Sequence, residues 1–171
     1  PAVSAPVEEP LHLGRPRPPF AARHASAPAT ASAERWSLAE GAPRGFFDLF
    51  VLIANPSTTA ARVRVTYLTR TGQTYARDLD VAPTSRQTIW VDQEQLPAGS
   101  GVRPLAAAEV STTVESLNGV GVVVERAMWW PSPVLGPAFW MEAHNSPGAT
   151  TTATRWAMAE GEVGGPQAVE T

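Results

Sequence analysis

A seven-residue phrase occurs twice in this chain, and it constrains the fold more than any other feature. Arg35-Trp36-Ser37-Leu38-Ala39-Glu40-Gly41 returns 120 positions later as Arg155-Trp156-Ala157-Met158-Ala159-Glu160-Gly161. Five of the seven positions are identical, and Leu38/Met158 exchanges one apolar side chain for another of similar volume. A phrase that opens a unit and reappears where the unit ends marks a tandem array. The chain is therefore expected to divide into an arm or linker over 1–34, a repeat over 35–161 that ends in the first strand of a following unit, and a tail over 162–171.

Between the two phrases the pattern is strand, turn, strand. Residues 46–54 are nearly all apolar, as in a strand covered on both faces. Asn55-Pro56-Ser57 stops that strand. Val63, Val65 and Tyr67 then alternate with Arg62, Arg64 and Thr66, which describes a half-buried strand with one wet face. Arg70-Thr71-Gly72 is a hairpin turn, and Ile89 alternates with Thr88 and Trp90. Gln93-Glu94-Gln95-Leu96 has room for one helical turn. Val110, Thr112 and Val114 alternate with Ser111, Thr113 and Glu115, and Asn118-Gly119 reads as a hairpin into an apolar strand over 120–128. Further on, 131–136 reads as loop, 139–141 as a short strand, 144–148 as a turn and 150–159 as the closing strand. This spacing predicts an all-β fold: an antiparallel immunoglobulin-like β-sandwich of about seven to nine strands. The Pro- and Ala-rich stretch before residue 35 predicts an extended N-terminal arm.

Composition narrows the function classes. The net charge of −3 gives no basic field for nucleic acid. All 13 cationic Lys/Arg positions are Arg, which fits a high-GC bacterial genome. With no Cys there is no disulfide, thiolate metal site or Cys nucleophile. No apolar run approaches the length of a membrane-spanning helix. Without an initiator Met or a leader-like start, the chain reads as a processed product or an excerpt.

Several residues then form a recognisable set. It comprises the Trp36 phrase, the apolar stretch after Phe46, Asn55-Pro56, Ser85-Arg86, Val124-Glu125-Arg126-Ala127-Met128-Trp129-Trp130, His144-x-x-x-Gly148 and the second Trp phrase. Together they resemble the tandem Trp-x-Leu-Ala-Glu-Gly repeat of uncharacterised surface and secreted proteins of bacteria. The resemblance covers about residues 35–161. It implies an exported, extracellular or cell-surface β-domain and no catalytic residues. The segment from Pro131 to Met141 departs from the Gly-rich turn found there in such repeats.

The candidate residues follow from these patterns. Trp36, Leu38, Trp156 and Met158 are the expected contacts between units. Glu125 and Arg126 are adjacent in a strand, so one of them points inward and needs a partner. Glu40, Arg86, Glu125 and Arg126 are the expected charge network fixing strand register. Trp129, Trp130 and Trp140 surround a Pro-rich loop, and exposed aromatics there could stack on sugar rings. His12 and His24 lie in the arm. His144 with Glu142 and Asn145 is too thin a set to hold a metal. No metal, cofactor or catalytic constellation is expected. The function read from the sequence is a non-enzymatic structural or adhesive module of a bacterial surface assembly, contacting neighbouring repeats or identical subunits by strand pairing and aromatic packing. The alternatives are a carbohydrate-binding module with a polysaccharide partner and an accessory domain of an exported hydrolase.

Overall fold

The computed structural model describes residues 29, 31–42, 47–132 and 136–155, with the backbone alone described over 130–142. Eight strands make two antiparallel four-stranded sheets. In chain order they are β1 (Arg35–Leu38), β2 (Asp48–Asn55), β3 (Ala61–Thr69), β4 (Thr74–Val81), β5 (Ser85–Trp90), β6 (Val110–Ser116), β7 (Val123–Ser132) and β8 (Gly136–Pro147). The first sheet has the order β1-β6-β3-β4 and the second β5-β2-β7-β8.

The alternating strands settle where the sheets meet. On β3 the residues Ala61, Val63, Val65 and Tyr67 are buried while Arg62 and Arg64 face water, because successive side chains point to opposite faces. On β2, Leu49, Val51, Ile53 and Asn55 turn inward to meet them. Trp36 and Leu38 from β1, Ile89 from β5, Val114 from β6 and Val124 from β7 complete one continuous apolar core between the sheets. Each fully buried Val, Leu or Ile stabilises the fold by about 1.5–3 kcal/mol relative to exposure.

Polar side chains close the corners. Asn55, 1% exposed, places its Nδ2 amide 2.9, 3.0 and 3.1 Å from the carbonyls of Thr59, Val81 and Ala82, and its Oδ1 accepts the Ser57 N–H. The Asn-Pro-Ser stop is thus a buried clamp holding the end of β4 to the β2–β3 corner. Asp92, in a 3-10 turn over Val91–Gln93, accepts the Leu49 N–H at 2.8 Å and ties the start of β2 to the end of β5.

The structure differs from the sequence expectations at several places, among them the expected 131–136 loop, whose Pro131, Ser132 and Gly136 belong to β7 and β8. β2 is not covered equally on both faces: its inward residues are buried, and Phe50, Leu52 and Ala54 are only half-buried. Asn118-Gly119 does not close a hairpin. Gly119 takes the positive φ the dipeptide suggests (75°), but β6 and β7 belong to different sheets, so the turn arches across the core edge. Asn118 accepts from the Arg62 N–H and donates to the Ala60 carbonyl, which anchors that arch to β3. The helical turn falls at Val91–Gln93 rather than Gln93–Leu96. The short strand and turn expected over 139–148 are one long edge strand, β8. After it Gly148 donates to the Val124 carbonyl and Ala149 bridges to Ser37, residues 150–155 are exposed and outside any strand, and the remainder of the expected closing strand lies outside the described residues. So does the arm over residues 1–28.

Candidate functional site

The first copy of the repeated phrase opens with an edge strand of the first sheet, and most of its residues have a distinct job. Trp36 and Leu38 are 3% and 5% exposed and cap the open end of the core. The indole Nε1 of Trp36 donates to the Val122 carbonyl at 2.7 Å and lies 3.2 Å from the Ala33 carbonyl. A buried indole N–H needs such a partner. Arg35 reaches outward to Glu115 across the β1–β6 pair at 2.6 Å, an exposed ion pair of small energetic weight. Ser37 faces away from the core, and its N–H and C=O both bond to Ala149, at 2.8 Å each. Gly41 sends its carbonyl to the Val110 N–H, and its Cα sits so close to Leu49 that an added Cβ would lie 2.5 Å from Leu49 Cδ2. The spacing Trp-x-Leu-x-x-Gly is therefore a strand address: two knobs into the core and a close approach three residues on.

The last strand returns to the same edge. Gly148 packs against Trp36, Leu38 and the Ser37 carbonyl, and a Cβ there would sit 3.2–3.3 Å from all three. This close approach accounts for the glycine in the His144-x-x-x-Gly148 spacing. His144 itself lies in β8 opposite Met128 rather than in a turn.

Of the expected charge network, the structure brings two members together. Arg126 pairs opposite Val51 on the inner face of the second sheet. Its side chain is 12% exposed and its Nη1 lies 3.9 Å from the carboxylate of the far more exposed Glu40, whose backbone carbonyl accepts from the same nitrogen. Burial pushes the Arg126 guanidinium down from its ordinary pKa, and Glu40 counteracts that shift. Its Nε has no hydrogen-bond partner among the described residues. Glu125 stands opposite Leu52, and Arg86 opposite Ala54, on the outer face. They are on the far side of the sheet from Arg126. The tightest partly buried pair is one the sequence did not single out: Arg77 Nη1 donates to both carboxylate oxygens of Glu94, at 2.7 and 2.8 Å. The inward position of Arg77 in the alternation of β4 was the available signal.

Aromatic residues gather on the outer face of the second sheet. Phe50 and Trp90 are directly paired across β2 and β5, with ring centroids 5.4 Å apart, and Trp90 is 39% exposed. Trp129 is on the same face, opposite Asp48, and half-buried. The side chains of Trp130 and Trp140 lie outside the described residues, as do Trp156 and Met158. No group of His, Asp and Glu able to hold a metal occurs among the described residues, and none of their helices is long and apolar enough to cross a membrane.

No family model and no curated protein matches the chain. Among solved structures, the fold is similar to the crystal structure of Thermotoga maritima 1070, with a TM-score of 0.54 and 18% identity, over 69% of this chain and 94% of that one. The Anabaena sensory rhodopsin transducer aligns with a TM-score of 0.44 and 19% identity, over 55% of this chain and 94% of that one. At these identities the likeness concerns the fold alone.

Proposed function

We propose that this chain is a non-enzymatic structural module of a bacterial surface or extracellular assembly, which joins units through its edge strand and the aromatic side chains of the repeated phrase. One observation carries the reading: β1, the strand that seals the core with Trp36 and Leu38, lies at a sheet edge, and the phrase it opens recurs at 155–161 with five of seven residues identical. A second copy of such a phrase can fill the open sheet edge of a second unit. Strand addition of this kind satisfies both the unpaired backbone of an open edge and the apolar side chains of the incoming strand. In a longer array the same phrase would open the next unit.

The immunoglobulin-like reading of the sandwich belongs to this proposal. The pairs β2–β5 and β3–β6 match the B–E and C–F pairings of that architecture. The departure is at the edges: β1 takes the place beside β6 where the last strand, G, belongs, and β7 pairs with β2 instead.

Analytical ultracentrifugation of the 171-residue chain tests the proposal. Concentration-dependent oligomers that W156A/M158A abolishes are expected. A chain that stays monomeric at every concentration, or oligomers indifferent to that substitution, contradicts it.

Carbohydrate binding is a second reading, favoured by Phe50, Trp90 and Trp129 sharing one face. Retardation of the chain in polysaccharide affinity gels, lost in W90A/W129A, would support it. Equal mobility of the two proteins would exclude it.

A further inference from the structure

We infer that residues 155–161 and residues 35–41 are interchangeable occupants of one slot, and that the second phrase can fold back into its own domain beside β6 in place of β1. The inference rests on the geometry of the chain's exit and is independent of any surface role.

The exit geometry is specific. Ala149 is paired antiparallel with Ser37 through two 2.8 Å hydrogen bonds. The chain therefore leaves the domain running back along β1, towards Arg35. The equivalent of Ser37 in the second phrase is Ala157. If Ala157 occupied the Ser37 position, the same antiparallel pair would join Ala149 to Ala157, and the intervening residues would only have to reverse direction. Continuing that ladder by one pair sets Thr151 opposite Arg155 and leaves Thr152-Ala153-Thr154 as the loop, a length common in β-hairpins. Residues 150–155 are exposed and outside any strand, so no core contact has to break for them to turn.

The slot accepts the second phrase as well as the first. Trp156 and Met158 have the spacing that places Trp36 and Leu38 in the core, and Met is unbranched enough to fill the space of Leu38. Gly161 repeats the glycine whose Cα lies against Leu49. Arg155 keeps the cation that faces Glu115. Ala157, like Ser37, would face outward and contribute only backbone. The direction is right too, since the slot lies antiparallel to β6, which is the sense of a last strand in a sandwich of this pairing. When the second phrase is in place, the first is released with the arm before it and becomes free to fill the edge of a neighbour.

Disulfide trapping in the full chain tests this, with no native Cys to interfere. Because Ser37 directs its N–H and C=O to Ala149, the Ser37–Thr113 pair is a non-hydrogen-bonded one, whose Cα separation of about 4.5 Å suits a disulfide. Ser37→Cys with Thr113→Cys is the reference for the first phrase. Thr113→Cys with Ala157→Cys reports the second. Under mild oxidant at low protein concentration, a cross-linked monomer is expected from the second pair, with the Trp156→Ala change reducing its yield at least tenfold. A cross-linked dimer in place of the monomer would assign the second phrase to a neighbouring chain and overturn the inference while supporting the joining role. No cross-link from the second pair, beside complete cross-linking of the first, would overturn it outright.

Discussion

The indole N–H of Trp36 bonds to the carbonyl of Val122, 86 positions later in the chain, at 2.7 Å. Together with the two backbone bonds exchanged by Ala33 and Val122, this contact links the first residues of the domain to the segment that leads into β7, across the edge of the core. Trp36→Phe keeps most of the apolar area and removes the donor, while the Val122 carbonyl still accepts the Ala33 N–H at 2.9 Å, so the change is expected to cost about 0.5–1.5 kcal/mol, the net worth of one hydrogen bond. Urea unfolding measures it. A loss of only a few tenths would mean the indole hydrogen bond is dispensable.

Gly148 is held so closely against Trp36, Leu38 and the Ser37 carbonyl that an added Cβ would need its neighbours to give by a few tenths of an ångström. Gly148→Ala is expected to destabilise by about 1–3 kcal/mol through overpacking. Two of its neighbours are core-filling side chains and the third is backbone, so none can swing away freely. A Gly148→Ala protein with unchanged thermal midpoint would contradict the close approach.

Tyr67 is fully buried, and its hydroxyl finds no hydrogen-bond partner among the described residues. Burial, reinforced by nearby Glu94, drives the phenol well above its ordinary pKa. Tyr67→Phe is therefore expected to stabilise the fold by about 1 kcal/mol, since it removes a polar atom that is desolvated without compensation. Denaturant midpoints of the two proteins decide the sign, and a loss of stability would contradict the assignment.

The pH response of Asp92 is expected to run opposite to that of a paired surface carboxylate. Burial raises its pKa, partly offset by the Leu49 N–H. The folded state then holds the proton more tightly than the unfolded chain, so the stabilising contribution is full below the unfolded value of about 4 and fades as pH rises through the raised folded value. Asp92→Asn imitates the protonated form. It is expected to be more stable than the parent at pH 7, with the advantage shrinking as pH falls towards 4. Asp78, lowered by its Arg64 partner, works the other way: its contribution is present above the unfolded value and is lost as pH falls through the depressed one. Melting curves at several pH values separate the two, and a less stable Asp92→Asn protein at pH 7 would contradict the burial argument.

What was legible in the sequence was local. The alternation of Val63, Val65 and Tyr67 with Arg62 and Arg64 gave the buried and wet faces of β3 directly, since strand period alone sets them. Arg70-Thr71-Gly72 joins β3 to β4 within one sheet as its turn chemistry suggests. Asn118-Gly119 gave the backbone of its turn but not the destination of the chain, because sheet membership depends on which apolar faces cover each other, a non-local property. β8 was hidden for a related reason. Its Asn145-Ser146-Pro147 end reads as a turn, yet at a sheet edge only one side of the backbone needs pairing, so such residues are tolerated. In the charge network, adjacency fixed that Glu125 and Arg126 face opposite ways. Which of them faces inward followed from the register of β7 against β2, and that placed Arg126 with Glu40 and left Arg86 and Glu125 on the outer face.

The equivalence of the two Trp phrases is the centre of this account, and a double-mutant cycle on the full chain tests it most directly. Thermal and urea unfolding of Trp36→Ala, Trp156→Ala and the double variant give the coupling between them. Truncating a buried Trp that nothing replaces costs about 3–5 kcal/mol. If the phrases share a slot, Trp36→Ala alone costs clearly less than that, and the full loss is seen only in the double variant. A Trp36→Ala protein as unstable as the double variant, with Trp156→Ala indistinguishable from the parent, would contradict it.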